Sequence, residues 1–257
     1  MGIITVMSSK KHSPLDLKFT EAQQCSINYR LEILQKLLFL QSLTFSDLEW
    51  VNSLIEERDF RTGDFICYSG DMGDQLFIIA EGKVRLMQYS LSGRDILLDL
   101  LNPGEFFGTL SSLGNETYSE TAQAHTSCCI LVINSAEFQK ILIRFPNVAI
   151  KLIDIMAVRL RLANERVHQL GALSVEERIA NILVGLAGKF GEQKGVEILL
   201  QVPLFREDIA AMAGVTVESA SRVMSRFQNA GLIRSGRGWV AVIDKVGLEA
   251  ITHDDLQ

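Results

Sequence analysis

The sequence predicts an α+β chain built from an antiparallel β-roll, one long helix and a C-terminal winged helix-turn-helix. Three observations carry this expectation. Between residues 58 and 132, short β-favouring runs alternate with turn clusters about every ten residues. After Pro146, apolar residues keep a heptad spacing. Residues 206–225 place a small residue, a glycine turn and an apolar lock at helix-turn-helix spacing.

Residues 1–30 are polar and aperiodic and read as an N-terminal extension. Leu31, Leu34, Leu37 and Leu38, then Leu48, Val51, Leu54 and Ile55, recur at helical spacing and predict two short helices parted near residues 42–44. The turn clusters that follow centre on Gly63, Gly70, Gly82, Gly93 and Gly104, and the runs 76–79, 96–101 and 130–133 are expected as buried strands. Domains are expected at 31–145 for the roll, 146–172 for the long helix with its hinge, and 173–257 for the C-terminal module.

In the long helix, Ala149, Ile153, Met156, Leu160, Ala163, Val167 and Leu170 are spaced 4, 3, 4, 3, 4, 3, as in the seam of a coiled coil. A helix lying on its own core can show the same stripe. The length of the repeat favours pairing with a second copy, a homodimer. Arg159, Arg161, Asn164, Glu165, Arg166 and Gln169 are expected to face water. Gly171 ends the helix, and Ser174 with Glu177 has the spacing of a capping box that starts the next. Residues 170–173 are therefore expected to act as a hinge.

The strongest local signal is REDIAAMAGVTVESASRVMS at 206–225. Ala210 is the small contact, Gly214 lies in the turn, Ile209, Val215, Ala220 and Val223 form the lock, and Thr216 can cap the second helix. Residues 232–234 and 239–243 then form strands around a turn, which makes a wing. The chain carries 25 Lys+Arg against 31 Asp+Glu, a net charge of −6, so its global field repels polyanions. Between residues 216 and 240, however, stand Arg222, Arg226, Arg234 and Arg237 with the single acid Glu218. Such a local excess suits phosphate contact. Val217, Glu218, Ser221 and Arg222 face base edges on the second helix: arginine suits guanine, glutamate accepts from cytosine, and valine meets a thymine methyl. Glu218 and Arg222 also have the spacing of a surface ion pair, and both roles can hold. Arg234 and Arg237 are placed towards phosphate.

No apolar run approaches membrane-spanning length, and the apolar stretch at the N-terminus precedes its charges, the reverse of a signal peptide. Cys25, Cys67, Cys128 and Cys129 form no disulfide framework, so a reducing cytoplasm is expected. Cys128 and Cys129, adjacent on a strand, point to opposite faces. No nucleophile–base pair, metal-ligand spacing or phosphate-cradling loop appears, so an enzyme is not expected.

Four stretches together resemble the Crp/Fnr family of bacterial transcription regulators: GDMGDQLFIIAEGKV at 70–84, PGEFFG at 103–108, the long helix leading into VEERIA at 175–180, and the winged helix. The first two are similar to cyclic-nucleotide-binding β-rolls, and the resemblance covers residues 31–250. Glu218, Ser221 and Arg222 resemble the Fnr branch, whereas the Crp branch carries arginine at the position of Val217 and glycine at that of Ser221. The resemblance thus implies sequence-specific DNA binding at a palindrome of TTGAT-like half-sites, by a dimer controlled allosterically by a small-molecule effector. Activation would require RNA polymerase, with residues 191–195 as an exposed contact loop.

The resemblance also places an effector pocket at Gly108, Thr109, Leu110, Tyr118, Ser119 and Asn164. Where cAMP-binding members supply a glutamate and an arginine, this chain has Thr109 and Tyr118, and the family's Thr-Ser pair on the long helix matches Ala163 and Asn164. Cyclic AMP is therefore not expected, because its phosphate would lack a cationic partner; amides after Gly108 remain open to another anion. With only Cys25 near the N-terminus, the cysteine pattern of the family's iron–sulfur members is missing. Haem-binding relatives leave His125 and His168 as the histidines to consider for axial ligation. A redox- or gas-responsive regulator, or a regulatory subunit acting on a protein partner, are the alternative readings.

Overall fold

The computed structural model describes residues 13–15, 26–89, 95–109 and 117–252. Its contacts divide the chain into two compact units whose main changeover lies between Ser174 and Val175, with residues 211–216 grouped with the first. No helix among the described residues is long and apolar enough to cross a membrane.

The first unit opens with two capped helices. Ser26 accepts the Tyr29 N–H and starts α1 (Ile27–Lys36), four residues ahead of the first apolar repeat at Leu31. Thr44 and Asp47 form a reciprocal capping box that starts α2 (Phe45–Asn52). Eight strands follow: β1 (Glu56–Phe60), β2 (Phe65–Cys67), β3 (Gln75–Glu81), β4 (Val84–Tyr89), β5 (Asp95–Leu101), β6 (Phe106–Gly108), β7 (Thr121–Ala124) and β8 (Cys128–Asn134). They form two antiparallel sheets, ordered β1-β8-β3-β6 and β2-β7-β4-β5. Asn134 caps α3 (Ser135–Arg144), and Pro146 occupies the first turn of α4 (Pro146–Ala172).

Strands β3 and β8 hold the layers together because each is buried on both faces. Leu76, Ile78, Cys129, Leu131 and Ile133 face the helices, while Phe77, Ile79, Cys128, Ile130 and Val132 face the interior of the roll. Cys128 and Cys129 thus point to opposite sides of β8, as their adjacency requires; Cys128 is a free thiol, whereas Cys129 is disulfide-bonded, against the expectation of unpaired cysteines. Strand β5 departs from the expectation of a buried strand. It lies at a sheet edge, where Ile96 is exposed and only Leu97, Leu100 and Leu101 are buried. An apolar run cannot by itself distinguish an edge from a centre.

Besides apolar packing of Val148 and Leu152, two arginines of α4 reach the roll. Arg159 donates to the Phe106 carbonyl at 2.8 Å with its guanidinium 4.2 Å from the Phe106 ring centroid. Arg166 donates to the Leu98 carbonyl and lies 3.8 Å from the Asp99 carboxylate. Both were expected to face water only. Their long side chains span back across the helix surface to the strands, which heptad spacing does not reveal. Helix α4 also continues one residue past Gly171, and Leu173 is extended.

The second unit comprises α5 (Val175–Phe190), β9 (Gly191–Lys194), β10 (Glu197–Leu200), α6 (Arg206–Ala213), α7 (Val217–Asn229), β11 (Ile233–Gly236), β12 (Trp239–Val242) and α8 (Lys245–Ile251). Its sheet runs β11-β12-β10-β9, and α5 packs against α7 and α8. Residues 191–195, expected as a loop, are instead strand β9 with its turn at Gly195, paired throughout to β10. The wing turn is tighter than read from the sequence: Gly236 pairs with Trp239, leaving Arg237 and Gly238 between them.

Gly82 shows how closely the roll's corners are packed. Its φ is +83°, and a Cβ there would collide with the Ser127 carbonyl oxygen. Gly82→Ala is expected to cost about 2–3 kcal/mol, from left-handed strain plus the backbone clash, read as a lower urea midpoint at unchanged slope.

Candidate nucleic-acid interface

The recognition element is built outward from a polar knot. Arg206, at the start of α6, donates to Ser235 Oγ at 2.8 Å, and Ser235 donates to Gln228 Oε1 at 3.1 Å, joining α6, α7 and β11. Burial lowers the pKa of Arg206. Ile209, Ala210 and Ala213 are buried on α6, and Gly214 takes φ +64° in the turn, the left-handed geometry the break between helices requires. On α7, Ala220, Val223, Met224 and Phe227 are buried, which turns the opposite face outward.

That outer face borders an open groove of about 780 Å³ lined by Val175 together with Glu218, Ser219, Ser221, Arg222, Val223, Ser225 and Arg226. Four of the expected contact residues, Glu218, Ser221, Arg222 and Arg226, therefore share one surface. Thr216 and Val217 stand exposed at the start of α7, and Arg237 is exposed at the tip of the wing. The arginines are not bare. Arg222 lies 3.6 Å from Glu218, and Arg226 lies 2.8 Å from Glu176 on α5. Arg234, placed towards phosphate by the sequence, is bound 2.7 Å from Glu197 on β10, with its guanidinium 5.5 Å from the Trp239 ring centroid. Glu176, Glu197, Arg206, Gln228 and Ser235 were missed as positioning residues. Each acts through a partner distant in sequence, and no local pattern marks such pairs.

In the roll, Gly108 closes β6 with φ +95°, and a Cβ there would lie 2.5 Å from the Gln75 carbonyl oxygen. Thr109 is buried, and its N–H donates to that same carbonyl at 3.1 Å. This corrects the expectation that the amides after Gly108 stand open to an anion, since the first of them extends the β3–β6 pairing. Leu110 lies outside the described residues. Tyr118 is 7% exposed and belongs to the roll's core, its ring 5.8 Å from Phe77, which stacks on Phe107 at 5.0 Å. Ser119 is exposed and donates to Glu120, and Asn164 is exposed on α4. His125 is buried just after β7 with its backbone N–H donating to the Lys83 carbonyl, whereas His168 is exposed on α4.

Comparisons with known proteins agree with this layout. Residues 57–145 match the cyclic nucleotide-binding domain, and residues 177–251 match the Crp-like helix-turn-helix domain. The cyclic AMP receptor protein of Thermus thermophilus is 33% identical over 199 residues, which cover 77% of this chain and 89% of that protein. The chain belongs to the Crp/Fnr family of transcription regulators. Within that family, the transcriptional activator protein FnrA of Stutzerimonas stutzeri is 26% identical over 82% of this chain and 86% of its own. A CRP/FNR-family transcriptional regulator from Thermus thermophilus, known from its crystal structure, shares the fold with a TM-score of 0.65 at 25% identity, covering 77% of this chain and 99% of that one. The chain is thus a DNA-binding regulator with relatives that are regulators rather than enzymes.

Three neutral acids sit inside the regulator's roll. Burial pushes the Cys67 and Cys128 thiols up to about 11 and the Tyr118 phenol up to about 12. Cys128 also donates to the Lys83 and Thr126 carbonyls. Because these folded-state values lie above the unfolded ones, their stabilisation is complete below the ordinary thiol value. It is lost as pH rises through about 11 to 12. The urea midpoint of the first unit should therefore hold level to about pH 9 and fall above it. At about pH 8, peptide mapping after alkylation should find Cys67 and Cys128 unlabelled until the roll unfolds; rapid labelling of either in native protein would contradict their burial.

Proposed function

We propose that two copies of this regulator pair along α4 and read a palindrome of TTGAT-like half-sites, one per subunit. A signal other than cyclic AMP, acting in the roll, biases the pair between two states. The observation that carries pairing is the state of the seam in the single chain. Ile153, Leu160, Val167 and Leu170 are 68%, 64%, 70% and 52% exposed, at heptad spacing on one helix. Ala163 is exposed beside them, while Ala149 and Met156 are half-buried and Met156 packs against its own unit's core. Burying a large apolar side chain is worth roughly 1.5–3 kcal/mol, so four per subunit can offset the entropy of association. Two-fold pairing then sets the half-sites about 34 Å apart, one helical turn.

On each α7, Arg222 is assigned to guanine, Glu218 to cytosine and Val217 to a thymine methyl, with Ser221 beside them. Thr216, Arg226 and Arg237 serve the phosphates. Arg222 keeps its Glu218 partner at 3.6 Å, which supports a pair that orients the arginine as well as reading a base. The Thermus relative is named for cyclic AMP, but what supports a different signal here is Tyr118. At the position where cAMP-binding members carry arginine, this chain buries an aromatic ring against Phe77. A buried phosphate there would have no cation to offset its desolvation. Signal transfer runs through Arg159 and Arg166, which tie α4 to the strands β5 and β6, and then through residues 170–173. For activation, strand β9, exposed along its length, is the surface we assign to RNA polymerase.

Arg222→Ala should weaken binding by about 1–3 kcal/mol and relax preference at the guanine it reads; uniform loss across all half-site variants would count against that assignment. Replacing Leu160 and Val167 together with Glu should give monomers in sedimentation velocity and much weaker operator binding. A dimer that survives both changes would place the interface elsewhere.

A further inference from the structure

We propose that Glu176 is a specificity-determining residue, an acidic gate that holds Arg226 on the protein and suppresses sequence-independent DNA binding. The inference rests on reading α7 as the DNA-facing helix. It concerns a residue outside the helix-turn-helix itself: Glu176 lies in the first turn of α5, next to Val175, which lines the groove.

Charge in and beside the groove is balanced. Arg222 faces Glu218 at 3.6 Å, and Arg226 faces Glu176 at 2.8 Å, so two guanidinium groups meet two carboxylates. The pairs differ in kind. Glu218 is 80% exposed and shares a helix with its partner, so it moves with α7 and can turn to a base. Glu176 is 33% exposed and belongs to another helix, where the partial positive charge of the α5 N-terminus favours a carboxylate whether or not Arg226 is near. It therefore stays in place when Arg226 leaves.

Affinity for any duplex comes mainly from cations that replace the counterions of phosphates. Arg226 meets a phosphate either by leaving Glu176 or with its charge already shared with that carboxylate at 2.8 Å. Either way the carboxylate faces the polyanion. Arg226 thus adds little to binding that has no base contacts to hold α7 in register. At a cognate site those contacts fix α7 in the major groove, where phosphate is presented to Arg226 at close range and the exchange is favoured. The gate penalises the loose complex more than the seated one.

The test compares full-length wild type, Glu176→Gln, Arg226→Gln and the double variant on a TTGAT palindrome and on a scrambled duplex, across a salt series. Thermal unfolding confirms that each is folded. For Glu176→Gln on scrambled DNA, the slope of log affinity against log salt should steepen by about one, equivalent to a roughly 3.5-fold larger loss between about 50 and 200 mM salt. The gain at low salt should be smaller on the palindrome, and it should vanish when Arg226 is already Gln. A slope that does not change would overturn the gate. So would an equal gain in the Arg226→Gln background, which marks a general charge effect. A wild type that binds neither duplex removes the reading of α7 itself, whereas a wild type that binds while Glu176→Gln gains nothing removes the gate alone.

Discussion

Helix α4 has to satisfy two surfaces at once. On one side Val148 and Leu152 are buried in the core shared with α1 to α3, and Arg159 and Arg166 reach back to backbone carbonyls of the roll. On the other, Ile153, Leu160, Val167 and Leu170 stand in water. A single chain leaves that second stripe unsatisfied, although each such side chain gains roughly 1.5–3 kcal/mol on burial. The helix can therefore serve both as the last layer of the roll and as half of an interface. Arg159 and Arg166, which reach β6 and β5, project from the same helix as the seam residues. We propose this as the link between a signal in the roll and DNA.

Electrostatics imposes the second condition. With a net charge of −6, the chain approaches DNA against its own mean field, so the attraction must be local. The structure makes it more local still. Arg234 is engaged by Glu197, Arg226 by Glu176 and Arg222 by Glu218. Such pairs contribute little to stability at an exposed surface. Their effect is on geometry and on competition, since each fixes where a guanidinium points before DNA arrives. Under the proposed assignment, such a face relies on base contacts more than on bulk charge.

Much of this architecture could be read from residues alone, for physical reasons that also explain the failures. Strands β3 and β8 announced themselves because both faces are buried, which forces an unbroken apolar run. The helix-turn-helix was legible because its turn needs Gly214 and its angle needs small and apolar residues at fixed spacing. Tyr118 was visible as a departure from the family's ligand set. That its ring fills the roll beside Phe77 was not, since packing depends on residues forty positions away. Edge exposure of β5, the β9–β10 hairpin and helix α8 went unread because short half-exposed elements carry weak periodicity. The same blindness hid Arg159 on Phe106, Arg206 on Ser235 and Glu176 on Arg226. Each is a pairing across the fold, and sequence spacing records only neighbours.

The proposed pairing of α4 and the proposed reading of DNA by α7 meet in one stoichiometry. Native mass spectrometry of the full-length protein, mixed with a duplex carrying two TTGAT-type half-sites a helical turn apart, measures it directly. Two chains per duplex are expected, with no appreciable species carrying one chain even when protein is limiting, because the seam delivers both recognition helices together. A complex built from single chains that load independently, or a duplex that stays unoccupied, would contradict it.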